Sequence, residues 1–382
     1  MFEPETKVEI DGTRFLINGE VTYKGAGVEG PALSNVEGLL YNVRTVNATF
    51  DDTDGDAAMW DDDGNHPEND FAGYGPWKSP ESAEANTRRY VAGLPEYRAH
   101  GVLMVNLNVQ GGHPLHGRIG ASRGSGEVGD LTDVANWQGS AQDGPTGMRS
   151  ILHNSGFRAD GFLDPDYFKR IAWVIEACDK LGMVVNLQLF YFGQDTVFTD
   201  EVGILTAGDN AVDWLAEKGY TNVTVEIANE VMKGHYHHDI LKPARCHELI
   251  HRVRARARER NYPLLVSTSE AGLLSHRAWT IDEIDRTFSA CDFVLLHGGQ
   301  VRHVQAEVEL IRGRPSYRKR PVPIVFNETG GGLAVFRALL AAGISFGLHS
   351  KIFQTMWPPK WGVWNNETKW FFDTVKEVAK GE

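Results

Sequence analysis

Two short stretches of this 382-residue chain put a glutamate directly after an apolar run: Glu226-Ile227-Ala228-Asn229-Glu230-Val231 and Ile324-Val325-Phe326-Asn327-Glu328-Thr329-Gly330. Taken alone, either glutamate reads as a solvated rim residue, because charged side chains are ordinarily exposed. Taken together they suggest chemistry. If both stand on the rim of one cleft, one carboxylic acid can protonate a departing oxygen while the other, ionised, attacks the carbon it leaves. That is the division of labour in cleavage of a glycosidic bond. The ionised partner also makes ionisation of its neighbour costly, so the acid keeps its proton near neutrality. His297, in Leu296-His297-Gly298-Gly299-Gln300, ends another apolar run and is placed either to bond a hydroxyl or to satisfy backbone groups.

For the two glutamates to face each other, the elements carrying them must form a ring. Helical segments at 82–100, 166–181, 210–218, 243–260, 281–289, 304–312 and 332–341 lead into short apolar runs at 102–109, 183–189, 223–229, 264–268, 293–296, 322–326 and 344–347. Such runs read as parallel strands buried on both faces, and the glycines ahead of several of them as helix C-caps. With residues 22–27 counted as the first strand, eight βα units predict an α/β chain folded as one (β/α)8 TIM barrel, a single catalytic domain over 1–382. A doubly wound sheet is the other arrangement, and Gly25-Ala26-Gly27-Val28-Glu29-Gly30 matches its phosphate-binding fingerprint. No convincing helix follows, and a lone match is weak evidence. Val8, Ile10, Phe15 and Ile17 alternate around Asp11-Gly12, which predicts an N-terminal β-hairpin, with Asn18-Gly19 as a second turn. Segments 28–82 and 110–165 become long loops after the first and second strands, on the face where barrel enzymes carry their sites.

Composition narrows the partners. The chain has 38 Lys and Arg against 51 Asp and Glu, a net charge of −13, which repels phosphate backbones and anionic lipid. No nucleic acid and no membrane partner is expected. The N-terminus has no basic segment ahead of an apolar run, and no stretch nears the roughly 18 continuous apolar residues of a span. A cytoplasmic protein is the expectation, or a secreted one if a leader has been removed. Cys178, Cys246 and Cys291 follow no metal-ligand spacing and read as buried small hydrophobes. A homo-oligomer is left open.

Several motifs together resemble glycoside hydrolase clan A, the retaining β-glycosidases that include families 5 and 2. They are Arg14-Phe15-Leu16-Ile17-Asn18-Gly19 ahead of the first strand, Ile227-Ala228-Asn229-Glu230 on the fourth, Ile324-Val325-Phe326-Asn327-Glu328 on the seventh and an aromatic-rich eighth. The resemblance runs over residues 13–375, and the two glutamates are 98 residues apart, about what three βα units require. It implies that Glu230 is the general acid/base, Glu328 the nucleophile, and Asn229 the group that bonds the hydroxyl beside the anomeric carbon. The chain also departs from the clan's pattern. The residue two beyond His297 is Gly299 where a Tyr is often found, and the second strand ends with Asn106, Asn108 and Gln110 where an Arg is frequent. Asn108 is kept as a substrate-binding candidate, and Tyr191, after the third strand, as an alternative group to orient the nucleophile. No family within the clan is assigned.

Trp357, Trp361 and Trp364 follow the eighth strand, and flat aromatic faces stack on sugar rings. Trp357, nearest the strand end, is the expected contact, the alternative being core packing. His235-Tyr236-His237-His238-Asp239 is dense enough in imidazole to suggest a transition metal, but consecutive residues do not easily converge on one ion. His235 or His237 is expected on the subsite wall, and no catalytic metal is assigned. Asp52-Thr53-Asp54-Gly55-Asp56 and Asp61-Asp62-Asp63-Gly64-Asn65 partly imitate a calcium loop without its terminal bidentate Glu, so the stretch from Asp52 to Asp63 reads as a structural calcium site or a solvated acidic lid. The basic run from His251 to Arg260 reads as the solvated face of a helix.

The expectation is a retaining glycoside hydrolase acting on a β-linked oligo- or polysaccharide without a cofactor. Long loops around the mouth suggest exo action or short oligosaccharides. Two other readings use the same residues: a non-catalytic carbohydrate-binding barrel, in which one glutamate would point out of the pocket, and a metal-dependent barrel hydrolase using the histidines at 235–238.

Overall fold

The computed structural model describes residues 2–28, 34–51, 82–111, 154–233, 236–271, 273, 279–350, 353, 359–364 and 368–380. It opens on the expected hairpin, β1 (Val8–Asp11) against β2 (Arg14–Ile17). Asn18 and Gly19, both at positive φ, turn the chain into β3 (Glu20–Val21), which pairs with β2.

The expected first barrel strand at 22–27 is not one. Tyr23 and Gly25 take positive φ, which interrupts an extended run, and β4 (Gly27–Val28) pairs antiparallel with β5 (Ser34–Asn35) instead of leading into a helix. The first barrel strand is β6 (Asn42–Arg44), which continues the buried run Leu39-Leu40-Tyr41. The first long loop therefore starts at residue 45, not 28.

From β6, parallel pairing runs one way through β7 (Met104–Asn108), β8 (Val184–Phe190) and β9 (Val223–Ala228) to β10 (Leu265–Ser267). The other way it runs through β14 (Ser345–Leu348), β13 (Ile324–Thr329) and β12 (Val294–Gly298) to β11 (Ser269–Ala271). Only Thr268 separates β10 from β11, and its hydroxyl donates to the Ala228 carbonyl at 2.8 Å. These two pieces form one fifth strand, so the ring closes as a (β/α)8 barrel.

The helices are α1 (Ala83–Ala99), α2 (Pro165–Lys180), α3 (Glu201–Lys218), α4 (Cys246–Glu259), α5 (Ile281–Ala290), α6 (Val301–Arg312), α7 (Pro315–Lys319), α8 (Gly332–Ala341) and α9 (Lys369–Lys380). Their ends follow local chemistry. Asp164 caps α2 ahead of Pro165, Thr280 and Glu283 form a capping box on α5, and Gly101, Gly182, Gly219 and Gly343 return helix to strand at φ of 87°, 67°, 75° and 67°. The basic run faces an acidic row on α3, with Arg252 on Asp209 and Arg256 and Arg260 on Asp213, each at 2.6 Å. All three cysteines are buried and free. Among the described residues, no helix is long and apolar enough to cross a membrane.

The barrel interior changes along its axis. At the N-terminal ends of the strands, Phe15 of the hairpin meets Phe293 edge-on at 5.7 Å, with Leu103, Met104, Val184, Leu295 and Val325 packed around them. Two residues further along the strands, Asn106 Nδ2 donates to Asn42 Oδ1 at 2.7 Å, Asn186 Nδ2 to Asn106 Oδ1 at 3.0 Å, and Thr224 Oγ1 to Asn186 Oδ1 at 2.9 Å. Each buried group is satisfied by the next strand, as burial of polar atoms requires.

Candidate active site

Above that row lies Glu226 of β9, fully buried. Its Oε1 accepts from Gln188 Nε2 at 2.7 Å, and its Oε2 accepts from Asn186 Nδ2 and Asn327 Nδ2 at 2.9 Å each. Gln188 donates onward to Asn229 Oδ1 at 2.9 Å, and Arg44 Nη2 donates to Asn229 Oδ1 at 2.9 Å and to Gln188 Oε1 at 3.2 Å. Asn108 belongs to this network, donating to Gln188 Oε1 and to the Gln110 carbonyl. The oxygen of Asn229 is thus engaged twice, while its Nδ2 has no partner among the described residues. The result is a fixed amide with donors to offer a ligand.

The chain then leaves β9 sharply. Glu230 sits at φ of 49°, a left-handed conformation that costs a non-glycine residue on the order of 1 kcal/mol or more, and its N–H donates to Ser269 Oγ at 3.2 Å. On the seventh strand a bulge does comparable work. Leu296 pairs with Phe326 but His297 pairs with Glu328, leaving Asn327 as an extra residue. In a regular strand Asn327 and Glu328 would point to opposite sides; with the bulge, Asn327 reaches Glu226 within the barrel and Glu328 still reaches the mouth.

Both glutamates line one cavity of about 410 Å³, together with His297, His303, Glu307 and His349. His297 Nδ1 lies 3.0 Å from Glu230 Oε1 and 3.6 Å from Glu328 Oε2. One oxygen of each carboxylate and a ring nitrogen of His297 fall within 4.8 Å of one another. Arg44, wholly buried, places Nε 2.9 Å from Glu328 Oε2, and His349 Nε2 is 3.6 Å from Glu328 Oε1. Burial pushes the Glu328 carboxyl up, but Arg44, His297 and His349 outweigh burial and the opposing charge of Glu230, and hold it below the usual carboxylate range. Burial pushes the His349 imidazole down, with Glu328 opposing only in part, so it is neutral at pH 7.

Of the remaining candidates, Tyr191 is buried beside the carboxylates, and burial followed by the charges of Glu328 and Glu230 raises its hydroxyl well above its ordinary value. Among the described residues, no hydrogen bond joins that hydroxyl to Glu328; the groups against Glu328 are Arg44, His297 and His349. Sequence reasoning missed two of these three. Arg44 ends an apolar run as the other site residues do, and was hidden by the misplaced first strand; His349 directly follows the eighth. Trp357, His235 and the acidic stretch 52–63 lie outside the described residues. Trp361 is core, stacked on Phe353 at 5.7 Å, and Trp364 is exposed. The backbone N–H groups of His237 and His238 donate to Asp195 Oδ2, and the Tyr236 hydroxyl donates to the Asn229 carbonyl, so this segment braces the end of the fourth strand. A larger cavity of about 570 Å³, lined by Phe288, Ile311, Tyr317 and Arg320, lies toward the N-terminal ends of β12 and β13, away from the carboxylates.

No protein-family model matches the chain, and no curated protein matches it. Solved structures do. A candidate glycoside hydrolase from Bacteroides vulgatus superposes with a TM-score of 0.52 at 13% identity, over 97% of this chain and 60% of its own. A protein described as a glycoside hydrolase gives 0.51 at 12% identity over 98% and 75%. A broad-specificity endoglucanase of glycoside hydrolase family 5, subfamily 4, from Bacteroides salanitronis gives 0.50 at 13% identity over 93% and 97%. The chain spans about 60% of the length of the Bacteroides vulgatus protein. At these identities the likeness is one of fold: this chain has the (β/α)8 barrel found in structures described as glycoside hydrolases, family 5 among them, the group that the sequence motifs resemble.

Proposed function

We propose that the protein is a retaining glycoside hydrolase that cleaves a β-glycosidic bond of an oligo- or polysaccharide by double displacement at Glu328 and Glu230. One observation carries the reading: an oxygen of each carboxylate lies within 4.8 Å of the other, and both line one cavity. Oxygens that close support a nucleophile and acid pair, whose carboxyl groups stand roughly 5–5.5 Å apart, over an inverting pair, whose carboxyl groups stand roughly 6.5–9.5 Å apart with water between them. Glu328, held anionic by Arg44, attacks the anomeric carbon as the bond to the leaving oxygen breaks, and that oxygen takes the proton of Glu230. Glu230, now a carboxylate, removes a proton from water, whose oxygen attacks the same carbon and releases Glu328. Asn229 Nδ2 donates to the hydroxyl beside the anomeric carbon. The Bacteroides salanitronis structure is that of an endoglucanase, which makes β-linked glucans the first polymers to try, while the long segments after the first two strands favour exo action or short oligosaccharides.

A second reading has one observation behind it: Glu230, His297 and Glu328 are spaced to hold a metal ion. Against it, Arg44 already sets a cation on Glu328 Oε2 at 2.9 Å, and a second cation there meets its repulsion. The test is hydrolysis of aryl β- and α-glycosides by the wild type, Glu328→Ala and Glu230→Ala, with and without a chelator, following the anomer first released by NMR. The expected result is turnover of a β-glycoside to the β product, chelator-insensitive, with both variants slower by about a thousandfold or more. An inverted product, loss of activity to the chelator, or activity surviving in both variants would overturn the reading.

A further inference from the structure

The cavity does not end at the catalytic carboxylates. It extends past Gly298, Gly299 and Gly330 to α6, where Gln300, His303 and Glu307 line it. Glu307 is only 2% exposed, and among the described residues its Oε2 has no hydrogen-bond partner and no Lys or Arg is paired with it. The backbone N–H of Leu273 is the group that serves its carboxyl. A buried carboxyl with neither a cation nor a full set of hydrogen bonds costs the protein stability, and the double displacement makes no use of it.

The passage from the carboxylates to Glu307 has a glycine wall. A Cβ at Gly298 would come within 2.8 Å of Val304 Cγ1, and one at Gly331 would collide with the Gly299 carbonyl oxygen, so Gly298 lets α6 close on β12 and Gly331 lets the loops after β12 and β13 close on each other. Gly299 is different. Among the described residues, the nearest atoms a Cβ there would meet are those of the Gly330 backbone, at 3.8 Å, an ordinary contact. The backbone tolerates a side chain at 299, and the passage is open because none is present.

We propose that Glu307 is a substrate-contacting residue of a second subsite, on the α6 side of the catalytic cavity, that takes a neutral sugar unit through its hydroxyls. The ligand class rests on the glycosidase reading above. Burial drives the Glu307 carboxyl up to about 7, with the Leu273 N–H opposing, so in mildly acid solution it is an uncharged acid. Among the described residues, the titratable groups around the cavity are His303 on the same helix, His297, His349, Glu230 and Glu328. Of the helices packed on α6, α8 carries the exposed Arg337 and α7 the exposed Arg318 and Lys319. A carboxylic acid both donates and accepts, and so matches a sugar hydroxyl, which does the same. A uronic acid would instead bring a carboxylate to a wall already holding Glu230, Glu328 and Glu307.

The test is calorimetric titration of the full chain in mildly acid solution with cellotriose, mannotriose and the glucosamine trimer, or KM where a trimer is turned over, for the wild type, Glu307→Gln, Glu307→Ala and Gly299→Phe, with aryl glycoside hydrolysis assayed alongside. A neutral trimer should bind the wild type. Glu307→Gln, which keeps a donor and an acceptor, should stay within about threefold of it, while Glu307→Ala and Gly299→Phe should weaken binding by about tenfold. If the alanine variant does not fold, Gly299→Phe decides, since it leaves Glu307 in place. Neutral-trimer binding unchanged in Glu307→Ala or Gly299→Phe overturns the subsite. A preference for the glucosamine trimer that vanishes in Glu307→Gln replaces the neutral sugar with an ammonium. Aryl glycoside hydrolysis without binding of any trimer removes the subsite and leaves the catalytic reading standing. A protein that neither hydrolyses nor binds loses both.

Discussion

At the N-terminal end of the barrel, Phe15, Phe293, Leu295 and Val325 fill the interior with apolar surface under a three-stranded plug, whereas a few residues along the same strands the interior holds Arg44, Gln188, Glu226, Asn229 and Asn327, all buried. The two regions are held by different physics. Apolar packing is non-directional and is felt as volume, so the lower end tolerates any set of side chains that fills it. The upper network is directional. Glu226 takes donors from β8 and β13, and Asn229 takes them from β6 and β8, so the position of each group depends on partners contributed by other strands. The first end supplies stability, and the second converts part of that stability into the fixed geometry of two carboxylates.

This division can be broken deliberately. The largest effect is expected for Arg44→Met, which strands Glu328 in a buried site without its cation. A loss of about 3–5 kcal/mol in stability and of about a hundredfold or more in kcat/KM should follow, measured by denaturation and by aryl glycoside turnover. Arg44→Lys should not restore activity, because an ammonium cannot reach Glu328, Gln188 and Asn229 at once as the guanidinium does. Phe293→Ala, at the other end, should cost about 3–5 kcal/mol while kcat per folded molecule stays unchanged; a fall in kcat would show that the lower core also positions the carboxylates. Glu226→Gln is expected to be milder, about 1–3 kcal/mol, since it offers an amide to three side chains that already donate. Its mark is a fall in kcat larger than the change in melting would explain.

The lower half was the more legible in the sequence, because apolar runs between glycine-capped helices report burial directly. The upper half left a weaker trace. Asn106 and Asn108, Asn186 and Gln188, Thr224 and Glu226 stand two residues apart in runs otherwise apolar, the period of one face of a strand, and so mark a polar inner face. Glu230 and Glu328 could be picked out because each ends its run. The arginine against Glu328 could not: Arg44 also ends its run, but it belongs to a three-residue strand whose place in the ring is set by pairing with β7 and β14, which no local pattern encodes. The bulge at Asn327 was equally invisible, since it is a property of the register between β12 and β13, which neither strand encodes alone.

The smallest expected effect is the most informative about how the site is charged, and it comes from His349→Gln. Burial favours a protonated Glu328, yet Arg44, His297 and His349 together hold its folded-state pKa below the ordinary glutamate value. A depressed carboxyl contributes stability above its unfolded pKa and loses it as pH falls through the folded one. The acid limb of kcat/KM should therefore lie on the acid side of an unperturbed glutamate, and the melting temperature should decline over the same window. His349 is kept neutral near pH 7 by burial and gains its proton only as the solution becomes acid, where its charge, 3.6 Å from Glu328 Oε1, helps retain the carboxylate. Removing it should leave the rate at neutral pH nearly intact and move the acid limb upward, by less than Arg44→Met moves it, because Arg44 outweighs His349 in opposing burial. If the limb stays where it is, the charge on Glu328 is set by Arg44 and His297 alone, and the eighth strand serves only to close the ring.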